Sequence, residues 1–193
     1  MELEFTQDFF SQHIPNWERW LAKFKGRRIK ALEIGSFEGR SACWLLQHIL
    51  TNEYARLWCL DTWRGGGDLP EFDDALYARF RKNIAAIPGA FGKVTICQGR
   101  SDKTLIHFLQ HGGHTFDVIY IDGSHVAADV LTDAVLAWPQ LAPGGILIFD
   151  DYQWQVDPNK KNQPGPAVDA FLNCFTGYVV RQTGWQLAVE KTA

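Results

Sequence analysis

Apolar residues fall along this chain in two alternating rhythms. Short continuous runs come first: Ala31-Leu32-Glu33, Leu57-Trp58-Cys59-Leu60-Asp61, Val118-Ile119-Tyr120-Ile121-Asp122 and Ile146-Leu147-Ile148-Phe149-Asp150-Asp151. Runs of this length without alternation predict strands buried on both faces of a sheet. Between them the spacing is helical. Phe10, Ile14, Trp17, Leu21 and Phe24 form one stripe, with Pro15 dividing a short helix from a longer one. An apolar helix spans about 40–50, and Leu76, Phe80, Ile84 and Ile87 mark another, capped by Asp73 or Asp74 and ended by Pro88-Gly89. Val94 to Gln98 is a further strand and residues 102–111 a short helix. Ser124 is read as the cap of a helix whose inner face is Ala127, Val130, Leu131, Ala134 and Trp138. Pro143-Gly144-Gly145 is read as the turn into the fifth strand, and Val168, Phe171, Leu172 and Phe175 mark a last helix. Residues 178–189 then read as two strands about a Thr183-Gly184 turn.

Strands that alternate with helices predict an α/β fold with a doubly wound, mainly parallel sheet; the terminal hairpin adds an antiparallel strand at one edge. No repeat or linker divides the 193 residues, so the expectation is one domain: an N-terminal helical segment over 1–28 and a sheet core over 29–193. Two loop-like stretches are long, 62–70 and 153–166, and long loops at a ligand edge form lids or walls.

Charge narrows the partners. The net charge is −3, and the densest basic cluster, Lys25-Gly26-Arg27-Arg28-Ile29-Lys30, reads as a solvated face, so a nucleic-acid partner is not expected. No run reaches the ~18 apolar residues of a membrane span, and no signal-peptide pattern is present; a cytoplasmic protein without a membrane partner is the expectation. The scattered cysteines Cys43, Cys59, Cys97 and Cys174 lack any C-x-x-C pair, which fits a reducing compartment and no zinc site.

The carboxylates that close the four runs carry the chemistry. In a parallel sheet they gather along the carboxyl edge, where open α/β folds bind ligands. Crowded like charges there need hydroxyls, amides or a cation beside them. The loop Glu33-Ile34-Gly35-Ser36-Phe37-Glu38-Gly39 follows the first strand. Gly35 permits a tight turn, and Gly39 lets backbone approach a ligand at the helix start. A dinucleotide site would read G-x-G-x-x-G, whereas here Phe37 stands where a second glycine admits a pyrophosphate and Glu33 repels phosphate. A cationic or hydroxyl-rich nucleoside suits the loop better. Asp61, 22 residues past Gly39, is placed to bridge ribose hydroxyls, and Ser101 is read as a helix cap near an adenine.

At these residues the chain resembles the class I S-adenosylmethionine-dependent methyltransferases. Leu32 to Ser41 looks like their first motif. Leu60-Asp61-Thr62-Trp63 and Ile121-Asp122-Gly123-Ser124-His125 resemble segments of a branch of macrocin-type small-molecule O-methyltransferases. The likeness covers about 31–152, with Ala167 to Phe171 also similar. It implies a Rossmann-like sheet of order 3-2-1-4-5-7-6 with the last strand antiparallel, and S-adenosyl-L-methionine as cofactor. Glu33, Gly35, Ser36, Gly39, Asp61, Gln98, Ser101 and Asp122 are the implied cofactor contacts, with Gln98 or Ser101 near the adenine. The implied partner is a small-molecule hydroxyl acceptor: a sugar, a phenol or another natural product.

Asp122, Asp150 and Asp151 close neighbouring strands and form a candidate metal set; oxygen ligands favour Mg²⁺, Ca²⁺ or Mn²⁺. The resemblance implies the same, since that branch holds a divalent ion at these positions. The alternative is an acid edge that only caps loop amides. His125, three residues beyond Asp122, is the candidate base, and Asp122 is the other candidate catalytic residue; Asp151 or metal-bound hydroxide could take the proton instead. In some metal-using relatives a second acid stands where this chain has Ser124, which weakens transfer of their mechanism. The pair His111 and His114 precedes the fourth strand and is expected on the opposite edge. Trp63, Tyr152 and Trp154 are read as a substrate wall or an apolar cover, and the N-terminal stripe as core or a homodimer face. Two rivals remain: a nicotinamide-dependent oxidoreductase, opposed by the absence of a Tyr-x-x-x-Lys, and a nucleoside-binding module without catalysis.

Overall fold

A computed structural model describes residues 2–65, 74–182 and 184–192. Its sheet has seven strands: β1 (Lys30–Ile34), β2 (Arg56–Asp61), β3 (Val94–Gln98), β4 (Phe116–Ile121), β5 (Leu141–Phe149), β6 (Tyr178–Gln182) and β7 (Leu187–Lys191). They lie in the order β3-β2-β1-β4-β5-β7-β6. β1 to β5 are mutually parallel, and β7 runs antiparallel between β5 and β6. The expected sheet is the observed one.

The strands alternate their side chains between two cores. Ala31, Leu57, Cys59, Val118, Tyr120, Ile146 and Ile148 face one side. That side is covered by α1 (Ile14–Leu21), α2 (Arg40–His48) and α3 (Asp74–Ala86). Leu32, Ile34, Leu60, Ile119, Ile121, Leu147 and Phe149 face the other. There α4 (Ser101–Gln110), α5 (Ala127–Ala137) and α6 (Pro164–Cys174) pack. Pro15 lies in the first turn of α1, where its missing N–H costs nothing, and a 3₁₀ turn over Ser11–His13 precedes it. The N-terminal stripe is core: Phe10, Trp17, Leu21 and Phe24 are all buried.

Three readings of the sequence change. Pro143-Gly144-Gly145 is a bulge inside β5, because Leu141 already pairs with Phe116 before Ile146 pairs with Val118. Ser124 does not cap α5. Val126 holds that position, and the Ser124 hydroxyl instead accepts the Val126 amide and donates to Asp129. Ser101 is the first residue of α4 rather than its cap, which is Arg100. Asp73, the Asp74 side chain, residues 66–70 of the first long loop and Thr183 lie outside the described residues. Among the described residues no helix is long and apolar enough to cross a membrane.

Candidate active site

In this strand order the chain reverses direction between β1 and β4, so a crevice opens at their carboxyl ends. Gly35 sits in it with φ +83°; a Cβ there would lie 1.9 Å from the Asp122 carbonyl oxygen. Only glycine lets the β1 and β4 loops meet so closely. The resulting cavity, of about 210 Å³, is lined among others by Gly35, Phe37, Asp61, Ser101, Asp122 and Asp133. Asp102 and Asp129 add two more carboxylates, against the one cation, Arg100, among the described lining residues. Such walls suit a cationic, hydroxyl-bearing ligand and repel phosphates.

Asp61 does two things at once. Its Oδ2 accepts the amides of Ser36 and Phe37, each at 2.8 Å, and its Oδ1 accepts the Trp63 amide at 2.7 Å. Three of its four lone-pair sites thus shape the two loops, and Asp61 itself lines the cavity. Phe37 and Trp63 both adopt left-handed backbone, with φ of 46° and 50°. Such non-glycine strain at a ligand edge persists only where the surroundings enforce it; here the Asp61 carboxylate and the Trp63 Nε1 bond to the Phe37 carbonyl do so.

Glu33 lies elsewhere. β1 continues to Ile34, so Glu33 is inside the strand on the α2 face, with no solvent exposure. Ser36 and Ser41 each donate a hydroxyl to it at 2.6 Å. Burial pushes its carboxyl up to about 7, against the downward pull of those two hydroxyls. Glu33 and Ser36 therefore brace the loop from beneath and do not line the cavity. Gly39, left-handed at φ +81°, caps α2, and a Cβ there would meet the Phe80 ring at 2.9 Å. Its constraint is packing against α3, not ligand approach. Gln98 is exposed at the end of β3 and likewise does not line the cavity. Ser101 does, as does Asp133, whose carboxyl burial pushes up to about 7 against the downward pull of Ser101.

On the β4–β5 side the carboxylates are met by side chains. The Tyr120 hydroxyl lies between Asp122 Oδ2, at 2.8 Å, and Asp150 Oδ2, in closer contact still. Gln186 Nε2 donates to Asp150 at 3.1 Å, and Trp17 Nε1 donates to Gln186 at 2.8 Å. Burial raises the Asp122 carboxyl well above its usual range, with the charges of Asp150 and Asp151 adding to it; burial and Asp151 push Asp150 up to about 6. Asp151, left-handed at φ 54°, turns away to His125 Nε2 at 2.9 Å and Trp185 Nε1 at 3.2 Å. His125 stacks on Trp154, ring centroids 4.3 Å apart.

This arrangement does not fit the expected metal triad. Among the described residues no group of three His, Cys, Asp or Glu side chains is placed to hold a metal ion. The reason is Tyr120, whose hydroxyl occupies the space between two of the carboxylates, while Asp151 points to an imidazole and an indole. Tyr120 and Gln186 are absent from the set read off the sequence. The one signal for Tyr120 is its period-two spacing from Asp122, which puts both side chains on one face of β4. Trp63 is no substrate wall; it is buried against Tyr77 and Phe80. Tyr152 donates its hydroxyl to Asp169. His114 packs on Trp58 and Phe116 at the amino edge, as expected.

A family model described as a methyltransferase domain matches residues 32–152. No curated protein matches the sequence. Solved structures share the fold at low identity. The MycE methyltransferase of the mycinamycin biosynthetic pathway, solved with Mg and SAH, is 18% identical at a TM-score of 0.67, over 96% of this chain and 51% of that one. This chain thus spans about half of its length. TomG from Streptomyces achromogenes, an O-methyltransferase of tomaymycin synthesis solved with SAM, is 17% identical at a TM-score of 0.69, over 93% and 80% of the two chains. An O-methyltransferase from Bacillus cereus solved with SAH is 17% identical at 0.68, over 98% and 84%.

Proposed function

The chain belongs to the methyltransferase-domain family whose model it matches over residues 32–152, and on that premise we propose that it methylates a hydroxyl oxygen of a small molecule with S-adenosylmethionine as donor. The observation that carries this reading is the acid-walled cavity at the β1–β4 crevice, where Gly35 presses against the Asp122 carbonyl and Asp61 keeps one lone pair free of the loop amides. The cofactor supplies an electrophilic sulfonium methyl group. Gly35 admits its amino-acid end and Asp61 accepts a ribose hydroxyl. Ser101, Asp102 and Asp133 offer hydroxyl and carboxyl groups to the base. The lining acids favour the positive sulfonium over a dinucleotide.

His125 is assigned as the base that takes the acceptor proton, with Asp151 on its Nε2 and Trp154 against its face holding the ring. Asp151 then stabilises the imidazolium that forms. Alignment of the attacking oxygen at about 3 Å supplies much of the rate, on the order of 7–11 kcal/mol. Tyr120 holds Asp122 and Asp150, so this reading asks nothing of a divalent ion. The neighbours solved with SAM or SAH support the donor, and the two named O-methyltransferases support an oxygen acceptor. The test is a thermal shift with S-adenosylhomocysteine or NAD⁺, each with and without EDTA. Saturating S-adenosylhomocysteine should add about 2.7 kcal/mol at 100 times its Kd, with or without chelator. Stabilisation by NAD⁺ alone would replace this reading with an oxidoreductase.

A further inference from the structure

A pair of ligating side chains lies away from the candidate active site, at the far end of α4. Ser101 begins this helix beside the cavity, and the chain then runs back toward the amino edge of the sheet. His107 and His111 stand four residues apart at the helix end, so their side chains share one face. Both are exposed. The two imidazoles stack, with ring centroids 4.2 Å apart and planes inclined by 28°. The His107 carbonyl accepts the His111 amide at 3.1 Å and lies 3.0 Å from His111 Nδ1. A carbonyl oxygen can only accept, so Nδ1 carries the proton and, in the neutral ring, Nε2 carries the lone pair.

An imidazole that donates one N–H to a carbonyl has the tautomer and the fixed orientation of a metal ligand. At about 2.0–2.1 Å per metal–nitrogen bond, two ring nitrogens up to about 4 Å apart can share one ion, a span comparable with the spacing of these rings. Two histidines one helical turn apart are also the ligand pair of helical zinc sites. The carboxyl end of a helix carries partial negative charge, which favours a cation. Gly112 and Gly113 follow, and a Cβ at either would meet nothing within 4 Å, so the approach is open. We propose that His107 and His111 bind a late first-row divalent cation, Ni²⁺, Zn²⁺ or Cu²⁺, with water at its remaining positions. Imidazole nitrogen suits these ions, whereas Mg²⁺ and Ca²⁺ prefer oxygen. The site is separate from the acids of the carboxyl edge and does not depend on what the chain methylates.

The test titrates Ni²⁺ into the full chain by calorimetry. Every form carries Cys174→Ser, because that exposed thiol is itself a metal ligand. His107→Gln and His111→Gln should each lower Ni²⁺ affinity at least tenfold, since chelation needs both rings. A double variant, Leu109→His with His111→Gln, keeps the number of histidines but sets the second ring two residues from His107, where the two cannot face each other. Its affinity should be as low as that of the single variants. Binding at other histidines or at the acid edge is common to every form and cancels in the comparison. All three positions are exposed, so without metal the variants should melt within about 2 °C of the parent. A parent that binds no Ni²⁺ would overturn the assignment. So would equal affinity in the parent and the single variants, or full affinity in the double variant.

Discussion

On the β1–β2 side of the carboxyl edge, Asp61 receives three backbone amides, and Glu33 beneath it receives two hydroxyls from its own loop and helix. On the β4–β5 side, Asp122 and Asp150 share the hydroxyl of Tyr120, and Asp151 takes an imidazole and an indole. The same residue type closes neighbouring strands in both places, yet its partners differ in kind. Backbone amides are fixed by the fold, so the geometry of the first side is preformed. Side-chain donors rotate and exchange protons, so the second side can change its hydrogen bonds. The amide-held side is rigid by construction, and the side held by side chains is electrostatically adjustable.

Substitutions that strike one side only will break or sharpen this contrast. The largest effect is expected from Gly35→Ala. Its Cβ would meet a backbone carbonyl at 1.9 Å and its backbone would hold φ +83°. Stability should fall by more than about 4 kcal/mol with loss of S-adenosylhomocysteine binding, read by melting and calorimetry. Wild-type melting and affinity in this variant would refute the close approach of the two loops.

Next is the pH response of Glu33. Its folded pKa is about 7, against an ordinary 4.5, so the folded chain holds that proton more tightly than the unfolded one. Its contribution is complete below pH 4.5 and lost as pH rises through about 7, on the order of 3 kcal/mol in all. Melting temperatures of Glu33→Gln should therefore fall less than those of the wild type across that window. Parallel curves for the two proteins would show that Glu33 is not held as described.

Tyr120→Phe should have the smallest cost, about 1–3 kcal/mol, from leaving Asp122 and Asp150 without their shared donor. It should also gain a stabilisation by Mg²⁺ larger than that of the wild type, because the space between two carboxylates is opened. An equal Mg²⁺ response in both proteins would erase the distinction between the two sides of the edge.

Much of this was legible in the chain itself. The four apolar runs that close on acids, the helical stripes between them and the terminal hairpin fix a mainly parallel sheet, since both periodicities are set by backbone geometry alone. They also place Asp61, Asp122 and Asp150 at one edge. Glu33 was harder to place. A run ending Ala31-Leu32-Glu33 gives no sign that Ile34 extends the strand, and one further residue moves the carboxylate from the rim to the underside of α2. The partners of the candidate metal set were hidden for a similar reason. Spacing along the chain tells which residues close neighbouring strands, but not that a tyrosine two positions earlier fills the gap between them.

The sequence by itself determined the order and type of the elements, the glycine at the tightest turn and the acidity of the rim, because these depend on residues close together in the chain. Only the tertiary structure decided which acid meets amides, which meets Tyr120 and which meets His125, and that Trp17 reaches the same network from the N-terminal helix. Partners in that network lie up to 169 residues apart in the chain, as Trp17 and Gln186 do. Burial and charge, which set proton affinity and ligand choice, depend on distances in space that no local pattern encodes.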